Sequence, residues 1–457
     1  MRSSFFGPLR VRLLPAFVLV LALGSFGTRP DLLSAQDGGL RARFGQLFAF
    51  GTGCGPEVLF CLRSGSGTPD FAQEAFSTNA NATARELTLF LQGAIALGVA
   101  TVPAPSAGSG ETFRLSALGV PVRAEETSLG PILVERALTL GRRSFLIGAN
   151  FTEMRFESLR GTSLEDLQFN VVQRDLPPLG PPLGDPVIER TYLAVTTRMG
   201  FEARVANLFF TAGLTDRLDL SLMVPLVEAR LSGFSDAEIV ISEGDDPAAG
   251  FSFGGPTEDP RLRERSILPP QKASGLGDVS VRGKYRLTDS ENRLAVALLG
   301  DVRLPTGRDD DFLGSGGIWA QGLGILSMEA GAGFSSHANA GVVVRGGEGQ
   351  RDAIVLALGA DHRASSRLTM AAELLAQVPF GTNPLVQKEV IIRDALGVDT
   401  SVSTSNFPTL RDDQVDGAVG LKLRLWKLTL VSSAIVPLND GGLRSRLLWT
   451  VGLQGGR

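Results

Sequence analysis

The chain has 457 residues, 43% of them hydrophobic and 20% charged, and a formal net charge of −4. That mildly acidic balance gives no basic face for a nucleic-acid partner. With two histidines and two cysteines, no ligand set has metal-site spacing. No cofactor motif occurs either: no Gly-Lys-Ser/Thr of a phosphate-binding loop follows Gly331-Ala332-Gly333.

The first 35 residues read as an export signal. Arg2, Arg10 and Arg12 form a basic stretch, residues 13–23 an apolar core interrupted by Pro15, and Leu33-Ser34-Ala35 a cleavage site. The apolar run is short of the roughly 20 residues that a spanning helix needs. Removing residues 1–35 would move the formal charge from −4 to −7. Cys54 and Cys61 lie close together in an exported chain, which favours a local disulfide.

Residues 36–142 carry irregular apolar runs punctuated by Gly, Ser and Pro. Residues 87–102 come nearest to a second apolar span, but Gln92, Gly93 and Gly98 interrupt it and Pro103 ends it. Two readings of this region stand: a periplasmic extension, or a plug in the lumen of a barrel built from residues 143–457.

From residue 143 the pattern changes to a two-residue alternation. In Val279-Ser280-Val281-Arg282-Gly283-Lys284-Tyr285-Arg286-Leu287, Val279, Val281, Tyr285 and Leu287 share one face of a strand. Ser280, Arg282, Lys284 and Arg286 share the other. Behind an export signal, the oily face can meet lipid, as in a membrane β-barrel. The predicted fold is therefore all-β, an antiparallel transmembrane barrel over residues 143–457, in contact with outer-membrane lipid.

Twelve strands are expected, near 143–157, 187–213, 217–230, 278–288, 292–305, 317–329, 333–346, 352–362, 366–379, 414–426, 427–437 and 443–454. Fourteen would result if residues 167–174 spanned separately and 187–213 broke near Met199. Connections alternate in length. Those at 215–216, 288–292, 362–366 and 426–427 are short, while 232–274, 305–317 and 379–413 are long and polar. Such barrels have short periplasmic turns and longer external loops. Pro225, Pro305, Pro379 and Pro437 fall where strands run toward long loops, a place that tolerates a missing donor. With only 2 Tyr and 3 Trp, the 26 Phe must supply most of the aromatic girdle.

The candidate lumen lining is Arg282, Lys284, Arg286, Arg303, Arg345, Lys422, Arg424 and Arg446, with Asp219, Asp301 and Glu373 on the same side. Such a set can be a charge-paired network that stiffens a closed barrel, or a basic lining that tunes permeation.

Several blocks resemble an outer-membrane family named for the meta pathway of phenol degradation. Gly275-Leu276-Gly277-Asp278 and the strand after it resemble a signature strand of that family. Leu304-Pro305-Thr306-Gly307 with Leu313-Gly314-Ser315-Gly316 resembles its next loop, and His337-Ala338-Asn339-Ala340-Gly341 its following hairpin. Gly213-Leu214-Thr215-Asp216-Arg217-Leu218-Asp219 resembles its tight turn. The resemblance covers about residues 200–450, and the barrel is more distantly similar to that of long-chain fatty-acid transporters. It implies channel-like transport of small apolar or aromatic molecules.

Catalytic constellations are sparse. His337 with Ser335, Ser336 and Asn339 has the residue types of a barrel lipid hydrolase, but a turn rich in small polar residues is the favoured reading. Asp309-Asp310-Asp311 lacks the spacing of a calcium loop, and His362 reads as a solvated turn residue. No enzymatic activity is expected. The expected function is a channel or transporter-like barrel with a small hydrophobic ligand. The rivals are a structural or surface-interaction barrel with a closed lumen and, third, a barrel lipid hydrolase.

Overall fold

A computed structural model describes residues 39–47, 50–51, 60–64, 70–101, 113–115, 121–123, 129–172, 192–240, 251–253, 262–288, 293–347, 349–381, 389–393, 399–408, 412–426 and 428–455. The cleavage segment and Cys54 lie outside them.

Alternation of side chains across a strand decides the architecture. On the segment Ser280–Arg286, Val281 and Tyr285 are 38% and 46% exposed, whereas Lys284 is 1% exposed. A register slip of one residue would reverse all of them together, so each strand is fixed with its oily face outward. Twelve strands repeat this rule: β1 (Ser144–Phe156), β2 (Tyr192–Gly213), β3 (Leu218–Val240), β4 (Ser280–Arg286), β5 (Leu294–Arg303) and β6 (Trp319–Gly331), followed by β7 (Phe334–Arg345), β8 (Ala353–Arg363), β9 (Leu368–Pro379), β10 (Gln414–Leu425), β11 (Leu428–Pro437) and β12 (Leu448–Gly455). Each is antiparallel to its neighbour. Pairing of β12 with β1 and of β1 with β2 closes the ring. Closure leaves no edge within the wall, which is what a sheet in hydrocarbon requires.

The outward belt is continuous. Leu298 on β5, Leu326 on β6, Val344 on β7 and Leu358 on β8 are each about half exposed. Trp426, 87% exposed at a tight turn, and Trp449 lie outside as well, in keeping with aromatic residues at a membrane interface. Tight turns occupy one end of the barrel. At the turn between β6 and β7, Gly331, Ala332 and Gly333 all have positive φ, which glycine adopts at little cost.

Three expectations are corrected at the other end. β2 and β3 have 22 and 23 residues, about twice the 9–11 residues of an ordinary spanning strand. Their outer halves continue as sheet. Residues 232–274 are not only loop: strand Arg263–Leu276 pairs with β3. Strand Leu167–Val172 pairs with the outer half of β2 and does not span, and β2 runs through Met199 unbroken. The fourteen-strand alternative therefore falls.

Above the long-loop end sits the largest apolar core. Helix α1 (Leu40–Gln46) and helix α2 (Asp70–Ala100) bring Phe44, Leu87, Leu91 and Ile95 against Phe156, Phe201 and Phe312. Leu87, Leu91, Ile95 and Val99 recur at four-residue spacing, one apolar stripe of a helix. The glycines that interrupt the apolar run are where α2 meets other chain: a Cβ at Gly98 would lie 2.8 Å from the Phe156 ring, and one at Gly93 3.0 Å from the Gly349 carbonyl oxygen. Among the described residues no helix is long and apolar enough to cross a membrane.

Candidate functional site: the barrel lumen

Residues 129–140 cross the lumen as a strap with no ladder partner, so their backbone groups must be satisfied by the wall. Inward-facing side chains do this one after another. Lys422 on β10 donates to the Leu129 carbonyl (3.0 Å) and to that of Pro131. Glu373 on β9 accepts from the amides of Ile132 (2.6 Å), Leu133 (3.0 Å) and Val134 (3.4 Å). Asn339 on β7 makes a reciprocal pair with Glu135, accepting from its amide and donating to its carbonyl at 2.8 and 2.9 Å. Ser327 on β6 accepts from Ala137, Lys284 on β4 donates to the Arg136 carbonyl, and Asp219 on β3 accepts from Leu140. Apolar burial adds to this, with Leu129, Ile132, Val134, Ala137 and Leu140 all 3% exposed or less. Ala137 packs with Ala297, Leu299 and Ile325, and Ile132 with Ala371 and Val431.

The strap also brings a charge into the lumen. Glu135 lies 3.7 Å from both Arg282 and Lys284, and Arg282 pairs with Asp301 at 2.7 Å. Eight of the eleven lumen candidates thus lie inside: Asp219, Arg282, Lys284, Asp301, Arg303, Arg345, Glu373 and Lys422. Two sit at the tight-turn end. Arg286 donates to the Asp216 carbonyl and Arg424 to that of Ser366. Arg446 is a correction: it precedes β12, its side chain is 87% exposed, and it pairs with Glu157. The strand expected over 443–454 starts only at Leu448, because Leu443–Arg444 pairs with Ser158–Leu159 instead.

Between the strap and the C-terminal end of α2 is a cavity of about 270 Å³. Leu133 and Glu135 line it from the strap, Gly98 and Thr101 from α2, and Arg282, Asp301, Arg303 and Arg345 from the wall. Trp319 on β6, which sequence reasoning passed over, is buried there. Its register partners are Arg303 on β5 and Arg345 on β7. That ladder was readable, since three inward residues at one height on neighbouring strands must touch.

His337 has partners other than those expected. Its Nδ1 is 2.8 Å from the Ser327 hydroxyl and its Nε2 2.7 Å from Asp361; neither Ser335 nor Ser336 is involved in these bonds. All three groups are buried, and the Ser327 oxygen already accepts the Ala137 amide. None of the three lines the cavity. The chain Asp361–His337–Ser327–Ala137 acts as an anchor that orients one hydroxyl toward the strap.

The blocks that resembled a family turn out to be joined. Asp278 accepts from the Gly307 amide (3.0 Å), the Ser315 amide (2.7 Å) and the Ser315 hydroxyl (2.6 Å). Thr306 donates to the Gly277 carbonyl at 2.7 Å. Gly277, Gly307 and Gly314 leave room for that approach: an added Cβ at any of them would lie under 3 Å from another atom. The Gly213–Asp219 turn and the His337–Gly341 segment hold the strap through Asp219, His337 and Asn339.

A closed, even-stranded antiparallel barrel with an oily outer belt and a polar, side-chain-filled interior is a transmembrane barrel of the outer-membrane type. Residues 209–378, less than half of the chain, match the family model described as "Putative MetA-pathway of phenol degradation". That span contains all the blocks on which the resemblance rested. No curated protein matches the chain. Among similar solved structures is an outer membrane channel from Pseudomonas putida F1, 12% identical, with a TM-score of 0.40 and coverage of 70% of this chain and 98% of that one. The CymD monoaromatic hydrocarbon channel is 10% identical, with a TM-score of 0.32 over 68% of this chain and 88% of that one. A Pseudomonas aeruginosa FadL homologue is 12% identical, with a TM-score of 0.29 over 68% and 89%.

Proposed function

We propose that this protein is an outer-membrane channel for small molecules, and that residues 129–140 form a strap that must shift for passage. The observation that carries the reading is the strap's mode of attachment. It is held across the lumen by side-chain hydrogen bonds and apolar burial with no ladder pairing, beside a cavity with mixed apolar and charged walls. The ladders that close the wall do not include the strap, so the segment can exchange its hydrogen bonds with water, at about 0.5–3 kcal/mol each, without unfolding the barrel. The phenol-degradation description of the matched family fits a small aromatic cargo. Catalysis is disfavoured because the Ser327 hydroxyl is covered by the strap and lies apart from the cavity.

A second reading has its own support. Arg282 pairs with Asp301, and Arg444 with Asp416, as in a stiff barrel with no open route. Planar-bilayer recordings separate the two. For a channel, replacing residues 129–140 by a Gly/Ser linker of equal length multiplies the current severalfold over the unmodified protein. Silence in both proteins would sustain the structural barrel and sink the channel.

We also propose that residues 1–35 are removed on export, that residues 36–142 cap and plug the barrel as one unit, and that Cys54 and Cys61 are disulfide-bonded in the envelope. Alkylation of protein isolated from the envelope should label neither thiol before reduction and both after it. Labelling before reduction would count against the disulfide.

A further inference from the structure

We propose that the cavity between strap and helix is a binding site for a small amphipathic anion: one carboxylate-like group on a compact apolar body. The proposal rests on the channel reading and names the solute class that the lumen would hold. Its basis is an imbalance among the charges of the cavity wall. Asp301 is engaged by Arg282 and by the Ser280 hydroxyl. Asp416 is engaged by Arg444, and Glu135 faces Arg282 and Lys284. Arg303 and Arg345 remain. Among the described residues neither lies within ion-pair distance of a carboxylate.

These two guanidiniums flank one indole. Arg303 lies 5.2 Å and Arg345 5.1 Å from the Trp319 ring, both within the roughly 6 Å reach of a cation–π contact. The indole is itself fixed, because its N–H donates to Gln350 at 2.8 Å. Arg345 is more than nine-tenths buried, and its Nε has no hydrogen-bond partner. Its other two nitrogens donate to the Arg351 carbonyl at 2.5 Å and to Gln377 at 2.8 Å. Arg303 donates to the carbonyl of Ala100, the last residue of α2.

A buried cation with an idle donor is costly unless an anion satisfies it. A carboxylate matches the planar donor fork better than a point acceptor does. Leu133, Phe156, Leu299 and Val343 give the wall an apolar part, beside polar Gln321, Asn339, Gln377 and Gln414. The volume lies near the lower end of ordinary small-molecule sites, roughly 300 Å³, so the body must be small. A neutral hydrocarbon would leave the Arg345 Nε unanswered, and an organic cation would meet Arg303 and Arg345 at the same end of the cavity.

The test uses the refolded full-length chain in detergent and three probes with one body: benzoate, benzyl alcohol and benzylammonium. Calorimetric titration should show saturable benzoate binding at least tenfold tighter than benzyl alcohol, and no benzylammonium binding. Arg303→Gln and Arg345→Gln should each weaken benzoate at least tenfold and leave benzyl alcohol unchanged. Equal binding of all three probes by the unmodified protein would overturn the proposal, as would benzoate affinity that is unchanged in both variants. The three-probe comparison does not depend on whether the variants fold. Bilayer currents without saturable benzoate binding would remove this site and keep the channel. Benzoate binding without currents would keep the site and remove the channel.

Discussion

Leu298→Arg should impair insertion of the barrel severely, whereas Leu298→Phe should leave it intact. Leu298 sits midway along β5, 52% exposed on the outer face. Its register partners are Tyr285 on β4 and Gly324 on β6, and the outward Tyr285 is 46% exposed on the same face. Arg on the lipid face at the bilayer midplane costs roughly 2–4 kcal/mol. At 1.4 kcal/mol per decade that is roughly a 30- to 700-fold loss in the folding equilibrium. The cost falls toward the interfaces, so Val281→Arg, nearer the long-loop end of β4, should impair assembly less. The check is refolding into lipid vesicles, scored by protease protection. Equal assembly of Leu298→Arg and Leu298→Phe would overturn the assignment of faces.

The wall was legible because each strand meets two opposite solvents. Lipid outside and a polar lumen inside force a period of two, and β4 shows it residue by residue in Val281, Arg282, Lys284 and Tyr285. The external extensions of β2 and β3 were not legible. Beyond the bilayer both faces can be polar or covered, as where Phe201 is buried against Phe156 and Phe312, and strand and loop then look alike in composition. Helix α2 was hidden by Gln92, Gly93 and Gly98, which broke the apolar run without breaking the helix. The strap had no period to read, since its backbone is satisfied by side chains far away in sequence. Its anchors were visible, but as lumen charges. Lys284, Glu373 and Lys422 stand out for their alternation, and nothing local in the sequence says that each one holds a backbone segment. Arg446 was misplaced for the opposite reason: Leu443 to Leu447 still alternate in the sequence, although the strand begins only at Leu448.

The second large effect concerns the strap itself, whose displacement is the central claim. Val134 faces Gly359 on β8: a Cβ built on Gly359 would lie 3.3 Å from the Cβ of Val134. Disulfides span Cβ atoms roughly 3.5–4.5 Å apart, so a shift of a few tenths of an ångström would let Val134→Cys and Gly359→Cys join. Both side chains that crowd the site most closely belong to Val134 and Glu373, and the first is removed by the substitution. In a background with Cys54→Ser and Cys61→Ser, this bond would tie the strap to the wall without altering Glu373, Asn339 or Lys422. The deciding measurement is planar-bilayer current through this double-cysteine protein, recorded first oxidised and then after adding reductant to the same membrane. Silence in the oxidised state and channel openings on reduction are the expected result. Current that is the same in both states, open or silent, would contradict a strap that must move for passage.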